Sequence, residues 1–92
     1  VAMKQAQERI ADSYQQIIDS EAAVAAAVAE AEAAKLTTTV TENRATQGTE
    51  TLIQVLDARA DDLDAQVVLI RARASLAAAQ ALLALEAGMA VP

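Results

Sequence analysis

A single glycine near the middle of the chain, Gly48, limits the fold more than any other residue. It is one of only two glycines among 92 residues, and long runs of the good helix formers Ala, Leu, Glu, Gln and Arg flank it. Glycine adopts a positive φ without a Cβ clash, so the chain is able to reverse direction there. The pattern therefore predicts an all-α fold, a long antiparallel two-helix coiled-coil hairpin.

The polar residues around the glycine predict where the two helices end. We expect a first helix over about residues 2–45, a tip over 46–50 and a second helix over about 50–87. Residues 1–92 would then form a single helical hairpin.

Local signals refine these boundaries. Thr51 and Gln54 have the spacing of a capping box, and Thr49 is a competing N-cap. Gly88 is expected to end the second helix. The β-branched segment 37–41 predicts a weaker stretch of the first helix, which is either a thinning end or a hinge.

Two apolar rows follow the second helix. The Ile53 row consists of Ile53, Leu56, Ala60, Leu63, Val67, Ile70, Ala74, Ala77, Ala81 and Ala84. The Val55 row consists of Val55, Ala58, Ala65, Leu69, Ala72, Leu76, Ala79 and Leu83. The alternating steps of three and four residues in the Ile53 row are typical of a coiled-coil seam, so we expect it to form the seam of the hairpin. A hairpin needs only one seam per helix, so the Val55 row predicts a further neighbour, as in a bundle or a closed ring of helices.

Two apolar rows also follow the first helix. The Met3 row consists of Met3, Ile10, Ile17, Val24 and Ala31, and the Tyr14 row of Tyr14, Ile18, Ala22, Ala25, Ala29, Ala33, Leu36 and Val40. With Gly48 as the apex, large residues of one helix face small residues of the other, as close packing requires. The expected pairs are Ala33 with Leu63, Ala29 with Val67, Ala26 with Ile70, and Ile18 with Ala78. Tyr14 is expected to pack near the open end.

Charge and composition exclude several classes of function. The net charge of −6 disfavours binding to nucleic acid or to anionic membranes, and the absence of cysteine excludes disulfides and thiol chemistry. The strongly apolar stretch 76–85 is too short to cross a bilayer, so no membrane span is expected within the chain. The chain begins at Val1 without a signal peptide, as we would expect of a segment of a longer exported protein.

The sequence offers no catalytic machinery. It has no His, no Cys and no glycine-rich phosphate loop, and a two-helix hairpin has no walled pocket, so we expect no enzyme, no cofactor and no metal site. Asp57, Asp61 and Asp64 share one helix face, with Asp62 beside them. The simplest interpretation is a solvated polar face; the alternative is a ring of carboxylates at a pore mouth, which would favour cations.

The segment 47–66, QGTETLIQVLDARADDLDAQ, resembles the internal repeats of TolC-like outer membrane efflux channels. The shared features are the turn glycine Gly48, the hydroxyl residues Thr49 and Thr51, the apolar pair Leu52 and Ile53, and the Val-Leu-Asp-Ala tetrad. The tetrad, residues 55–58, favours the second of the family's two repeats as the match for this segment, and the first repeat remains an alternative.

This resemblance implies that the chain is a fragment of an α-helical barrel, in the periplasmic portion of an outer membrane protein. In the full-length parent, a homotrimer, such hairpins build the tunnel wall. The tip residues Gln47, Gly48, Thr49 and Leu52 would dock a periplasmic adaptor (membrane fusion) protein, and Asp57 would face the pore.

Two other interpretations stay open. The chain would alternatively be a free-standing coiled-coil hairpin that acts as a binding module, such as the hairpin of a periplasmic adaptor protein, or a generic coiled-coil spacer. The two apolar rows on the second helix favour the export-channel hypothesis over these two alternatives, because only a segment of a helical wall needs both rows. The isolated hairpin is therefore expected to self-associate.

Overall fold

The computed structural model describes residues 2–90 and the side chains of residues 3–89. It contains two α-helices, α1 over Ala2–Thr46 and α2 over Leu52–Ala90, and no strand within that range. The two helices form a hairpin, so the predicted all-α helical hairpin is confirmed.

The threonine-rich segment 37–41 does not interrupt α1. The hydroxyls of Thr38, Thr39 and Thr41 each donate a hydrogen bond to the main-chain oxygen four residues earlier, at 3.0, 3.1 and 2.8 Å. These bonds satisfy hydroxyl groups that would otherwise compete with the backbone for partners. The helix therefore continues for about one and a half further turns, to Thr46.

The reversal takes place at Gly48, as predicted. Gly48 has a φ of 82°, and its amide donates to the oxygen of Ala45 at 3.0 Å. The amide of Thr49 donates to the oxygen of Arg44 at 2.9 Å. These two bonds form a Schellman motif, which satisfies carbonyls that the end of α1 leaves without helical partners.

A reciprocal capping box begins the second helix. The amide of Thr51 donates to Oε1 of Gln54 at 2.7 Å, and the amide of Gln54 donates to Oγ1 of Thr51 at 3.2 Å. Thr51 is therefore the N-cap, and α2 starts at Leu52 rather than at residue 50. The competing residue Thr49 has a different partner, because its hydroxyl donates to the oxygen of Arg44 at 3.0 Å.

Gly88 does not end α2, contrary to the sequence-based prediction. The helix runs through it to Ala90, and among the described residues only Gly48 has a positive φ. A glycine ends a helix by taking the left-handed conformation, so a glycine with helical dihedral angles simply continues it.

The chain divides into two compact units, each built from a part of both helices. One consists of Val1–Val24 with Ala72–Pro92, and the other of Ala25–Arg71. In the unit 25–71, the buried side chains are those of Ala27, Thr38, Val55 and Ala58. In the unit that pairs 1–24 with 72–92, they are those of Ser13 and Ala79. Small side chains in both units allow the two helix backbones to approach closely.

The hairpin seam uses the opposite row of α2 from the one predicted. Every residue of the Val55 row is buried or half-buried, whereas every residue of the Ile53 row is exposed. On α1, the Met3 row lies in the seam from Ile10 onward, and the whole Tyr14 row is exposed. The prediction that the Ile53 row forms the seam was therefore wrong.

The predicted facing pairs were wrong for the same reason. Leu63 is 61% exposed and Ile70 is 65% exposed, and their expected alanine partners are exposed as well. Tyr14, predicted to pack near the open end, is 60% exposed. Large residues of the Ile53 row do match small residues of the Tyr14 row in the sequence, but both rows face solvent.

Candidate functional site

In the unit 25–71, the two helices expose apolar rows of different bulk. On α2, the exposed part of the Ile53 row is bulky and consists of Ile53, Leu56, Leu63, Val67 and Ile70 around the smaller Ala60. On α1, the exposed part of the Tyr14 row is small at Ala25, Ala29 and Ala33 and larger at Leu36 and Val40. Single exposed apolar residues are common, but a continuous row of them marks an interaction surface.

The unit formed by 1–24 and 72–92 shows the opposite distribution. Here α1 exposes the bulky side chains of Tyr14 and Ile18, and α2 exposes four alanines of the Ile53 row. Those alanines are Ala74, Ala77, Ala81 and Ala84. Within these two rows, the small residues of one helix accompany large residues of the other, except near the tip, where Leu36 and Val40 of α1 and Leu56 of α2 are all large.

The four residues predicted to dock an adaptor lie together at the turn. Gln47, Gly48 and Thr49 are exposed, and Leu52 is 72% exposed in the first turn of α2. The Schellman motif on one side and the capping box on the other fix the backbone between them. The tip is therefore a rigid, polar turn with one exposed apolar side chain beside it.

Two ion pairs brace the region around the tip. Nη1 of Arg44 lies 3.6 Å from Oε1 of Glu50, and Nε of Arg59 on α2 donates to Oε1 of Glu42 on α1 at 2.9 Å. All four residues lie in the unit 25–71. The cation nearest the acidic face of α2 thus pairs with α1 rather than with the neighbouring aspartates.

The predicted acidic face separates into two environments. Asp57, Asp61 and Asp64 are exposed, whereas Asp62 is half-buried in the seam and accepts a hydrogen bond from Nε2 of Gln66 at 3.3 Å. Within residues 2–90, no three His, Cys, Asp or Glu side chains converge as metal ligands would. Asp57, the predicted pore-facing residue, lies on a face of α2 that neither apolar row occupies.

Two buried hydroxyls in the seam were missed by sequence reasoning. The single hydroxyl hydrogen of Thr38 is shared between the main-chain oxygens of Ala34 and of Ala58, each 3.0 Å from Oγ1, and the bond to Ala58 links α1 to α2. Oγ of Ser13 donates to Oε2 of Glu86 in the other unit. Both residues continue the three-and-four spacing of the buried positions, which is the signal that would have identified them.

A cleft and the apolar character of α2 are two further features of the described surface. An open cleft of about 140 Å³ is lined by Ala6, Arg9, Glu86 and Met89, and its Glu86 accepts the part-buried hydrogen bond from Ser13. By length and composition alone, Leu52–Met89 is apolar enough to cross a membrane, with a mean hydropathy of 1.5 over its most apolar window. Only 6% of that window is buried within the hairpin.

The surfaces that remain as candidates are the exposed Ile53 and Tyr14 rows and the tip. Comparisons with protein-family models, with curated proteins and with solved structures found no match to the chain.

Proposed function

We propose that the chain is a hairpin segment of an outer membrane export channel of the TolC-like kind, which its tip sequence resembles. In this proposal the hairpin forms part of the periplasmic tunnel wall of a homotrimeric parent, and its tip docks a periplasmic adaptor protein. The segment performs no chemistry, and its contribution is shape and assembly.

The observation that carries this proposal is the presence of two apolar rows on nearly opposite sides of one helix. At 100° per residue, the Val55 row and the Ile53 row lie roughly 150° apart around α2. The Val55 row is covered by α1, whereas the Ile53 row is exposed along its whole length. A helix in a wall of side-by-side helices contacts one neighbour on each side, and this pattern meets that requirement.

The faces between the rows also suit a wall. Asp57 and Asp64 lie on one remaining face, and Arg59 and Gln66 lie on the other, all exposed. In a closed wall one of these faces lines the tunnel, and we assign Asp57 to it. A carboxylate repeated by symmetry around a pore favours cations.

The geometry of the tip supports the docking part of the proposal. A turn that is fixed before binding loses little conformational entropy when a partner contacts it. Gln47, Gly48 and Thr49 offer exposed polar and main-chain groups, and Leu52 offers an apolar contact beside them. This combination fits a partner that approaches the end of the hairpin.

The competing function is a free-standing hairpin that binds only through its tip. Such a hairpin has no use for the Ile53 row, whose large residues would remain in water. Sedimentation of the whole chain at rising concentration distinguishes the two. We expect a helical chain that associates, and a chain that stays monomeric at every concentration would contradict the tunnel-wall function.

Substitutions test whether the Ile53 row drives this association. Leu63→Glu places a charge in the row at a 61% exposed site, so it should abolish association and leave helicity unchanged. Gln80→Glu, also exposed but outside both rows, is the matched control and should associate as the parent chain does.

A bilayer is the other environment that would cover an exposed apolar helix. Arg73 and Glu86 lie within or next to the most apolar part of α2. Charged side chains are costly at bilayer depth, about 2.5–3.5 kcal/mol for an Arg. We therefore expect the chain not to bind phosphatidylcholine vesicles. Binding to them as a monomer would contradict the proposal.

The parent gene gives the most direct test of the channel assignment. We expect the reading frame to encode β-strand-like segments before this hairpin and a second copy of the hairpin motif. A parent without either feature would exclude an outer membrane channel.

A further inference from the structure

The exposed Ile53 row is bulky in one half of α2 and small in the other. From Ile53 to Ile70 its exposed residues are large, apart from Ala60. Beyond Ile70 the row continues on the same helix through four exposed alanines, Ala74, Ala77, Ala81 and Ala84. A helix that packs evenly along this row must be small where the row is large and large where the row is small. The same row on a second copy meets this condition when it runs in the opposite direction.

We propose that two copies of the chain, when they are not part of a wall, pair through their Ile53 rows in antiparallel orientation, with their tips at opposite ends. The residues of the row alternate between the two apolar positions of the heptad repeat, and antiparallel helices bring one of these positions against the other. The pairing that overlaps the whole row places Ile53 against Ala84, Leu56 against Ala81, Ala60 against Ala77, Leu63 against Ala74 and Val67 against Ile70. Most of these contacts join a large residue of one copy to an alanine of the other.

Charges beside the row fit the same direction. Asp64 directly follows Leu63 and Arg71 directly follows Ile70, so both lie on the same side of the row, about two helical turns apart. Both side chains are exposed, and among the described residues neither belongs to an ion pair. In the antiparallel pair, Asp64 of each copy lies beside Arg71 of the other. The twofold symmetry therefore creates this ion pair twice.

A parallel pair of α2 helices fits less well. It places each residue of the row against the same residue of the second copy, so large residues face large ones as far as Ile70 and alanines face alanines beyond it. It also brings Asp64 beside Arg59 of the second copy, and Nε of Arg59 already donates to Oε1 of Glu42 at 2.9 Å. Size and charge both favour the antiparallel direction.

The antiparallel pair goes beyond the proposed function. The same row lies on both sides of the contact, so the contact is isologous and is complete with two copies. In a wall all tips lie at one end, and the wall covers the same row, so the two arrangements exclude each other. The pair is a second way to bury the Ile53 row, open to copies that have not joined a wall.

Disulfide cross-linking tests the direction and the register of the pair, because the chain has no native cysteine. Ala60→Cys and Ala77→Cys are prepared separately, mixed in equal amounts, oxidised and analysed by intact mass. We expect cross-linked dimers that contain one chain of each kind. Neither variant should cross-link by itself, because the two copies of position 60 lie about 25 Å apart along the helix axis of the antiparallel pair. Ser75→Cys is the control, since it lies within one turn of Ala77 but outside both rows, and it should not cross-link with Ala60→Cys.

The other outcomes of this experiment overturn the inference in distinguishable ways. Dimers of Ala60→Cys with itself and of Ala77→Cys with itself would show a parallel contact. A chain that associates by sedimentation without any of these cross-links would overturn the antiparallel pair and leave the tunnel wall standing. A mixture that stays monomeric at every concentration would overturn both.

Charge exchange between copies provides a second, independent readout. In Asp64→Arg two cations face two cations across the pair, and in Arg71→Asp two anions face two anions. Each variant alone should therefore associate roughly three- to thirty-fold more weakly than the parent chain, as expected when two exposed ion pairs are replaced by repulsion. An equal mixture of the two variants restores both ion pairs and should associate as the parent chain does. A mixture no stronger than either variant alone would show that Asp64 and Arg71 do not face each other, and would overturn the inference.

Discussion

Thr38 on α1 donates a hydrogen bond from its hydroxyl to the main-chain oxygen of Ala58 on α2, over 3.0 Å. Both residues are buried, and they are twenty positions apart in the sequence. The bond fixes the level at which the two helices meet in the unit 25–71. Within residues 3–89, the buried hydroxyls of Thr38 and Ser13 each bond to the other helix.

Replacing Thr38 by Val keeps the shape of the side chain and removes this bond. We expect Thr38→Val to lower the free energy of unfolding by about 1 kcal/mol, the usual net worth of a buried hydrogen bond. Thr39→Val is the matched control, since the hydroxyl of Thr39 bonds only within α1 at an exposed site. Urea unfolding followed by circular dichroism measures both, and equal losses would show that the bond to Ala58 contributes nothing.

The second polar contact of the seam joins Ser13 to Glu86. Ser13→Ala removes the donor to a half-buried carboxylate, and we expect a loss of about 1–3 kcal/mol. Ser75→Ala, at an exposed site on α2, should change the free energy of unfolding by less than about 0.5 kcal/mol. In a Glu86→Ala background the effect of Ser13→Ala should largely vanish, and an undiminished loss there would argue against the pair.

The two glycines should respond to alanine in opposite directions. Gly48 has a φ of 82° and no heavy atom within 4 Å of an added Cβ, so Gly48→Ala introduces backbone strain of about 1–2 kcal/mol without a clash. Gly88 has helical dihedral angles and equal space, so Gly88→Ala should stabilise α2 by up to about 1 kcal/mol. Thermal unfolding of the two variants checks the signs, and a stabilising Gly48→Ala would show that the turn is not left-handed.

Two valines on α2 test which row forms the seam. Val55 is 6% exposed and Val67 is 44% exposed. In dilute solution Val55→Ala should cost about 2 kcal/mol, and Val67→Ala less than about half of that. At high concentration the order should reverse for association, which Val67→Ala should weaken more. If Val67→Ala proves the more destabilising in dilute solution, the seam runs along the Ile53 row after all.

The sequence predicted the turn well because turn chemistry is local. Gly48 supplies the positive φ, and Thr51 with Gln54 supplies the cap, so both signals lie within a few residues of the structure they determine. The expected end of α2 at Gly88 failed because a glycine only permits the left-handed conformation. Whether the glycine adopts the left-handed conformation depends on the residues that follow it.

The seam was assigned to the wrong row because hydrophobicity alone favours the bulkier one. The Ile53 row is uninterrupted, whereas the true seam of α2 includes the polar residues Asp62 and Glu86 and buries mainly alanines. Close contact between helices favours small side chains and tolerates polar ones that find a partner, as Glu86 does with Ser13. Counting the large apolar residues in each row detects neither of these preferences.

The docking tip and the pore-facing Asp57 were predicted from resemblance, and the structure gives only their placement. Gln47, Gly48, Thr49 and Leu52 lie together at an exposed turn, and Asp57 is exposed on α2. What these residues bind depends on groups that belong to a partner, so the fold of one copy does not determine it. Their roles stay predictions.

Among the side chains that the structure describes, none is completely buried, and all of the buried ones except Val55 belong to alanine, serine or threonine. Folding of a solitary copy therefore releases only part of the free energy that its isoleucines and leucines would gain by leaving water. If neighbours supply that gain, the melting temperature should climb as the protein is concentrated. Stable folding of such a segment would then be cooperative between copies, because each copy becomes stable only once others have associated with it.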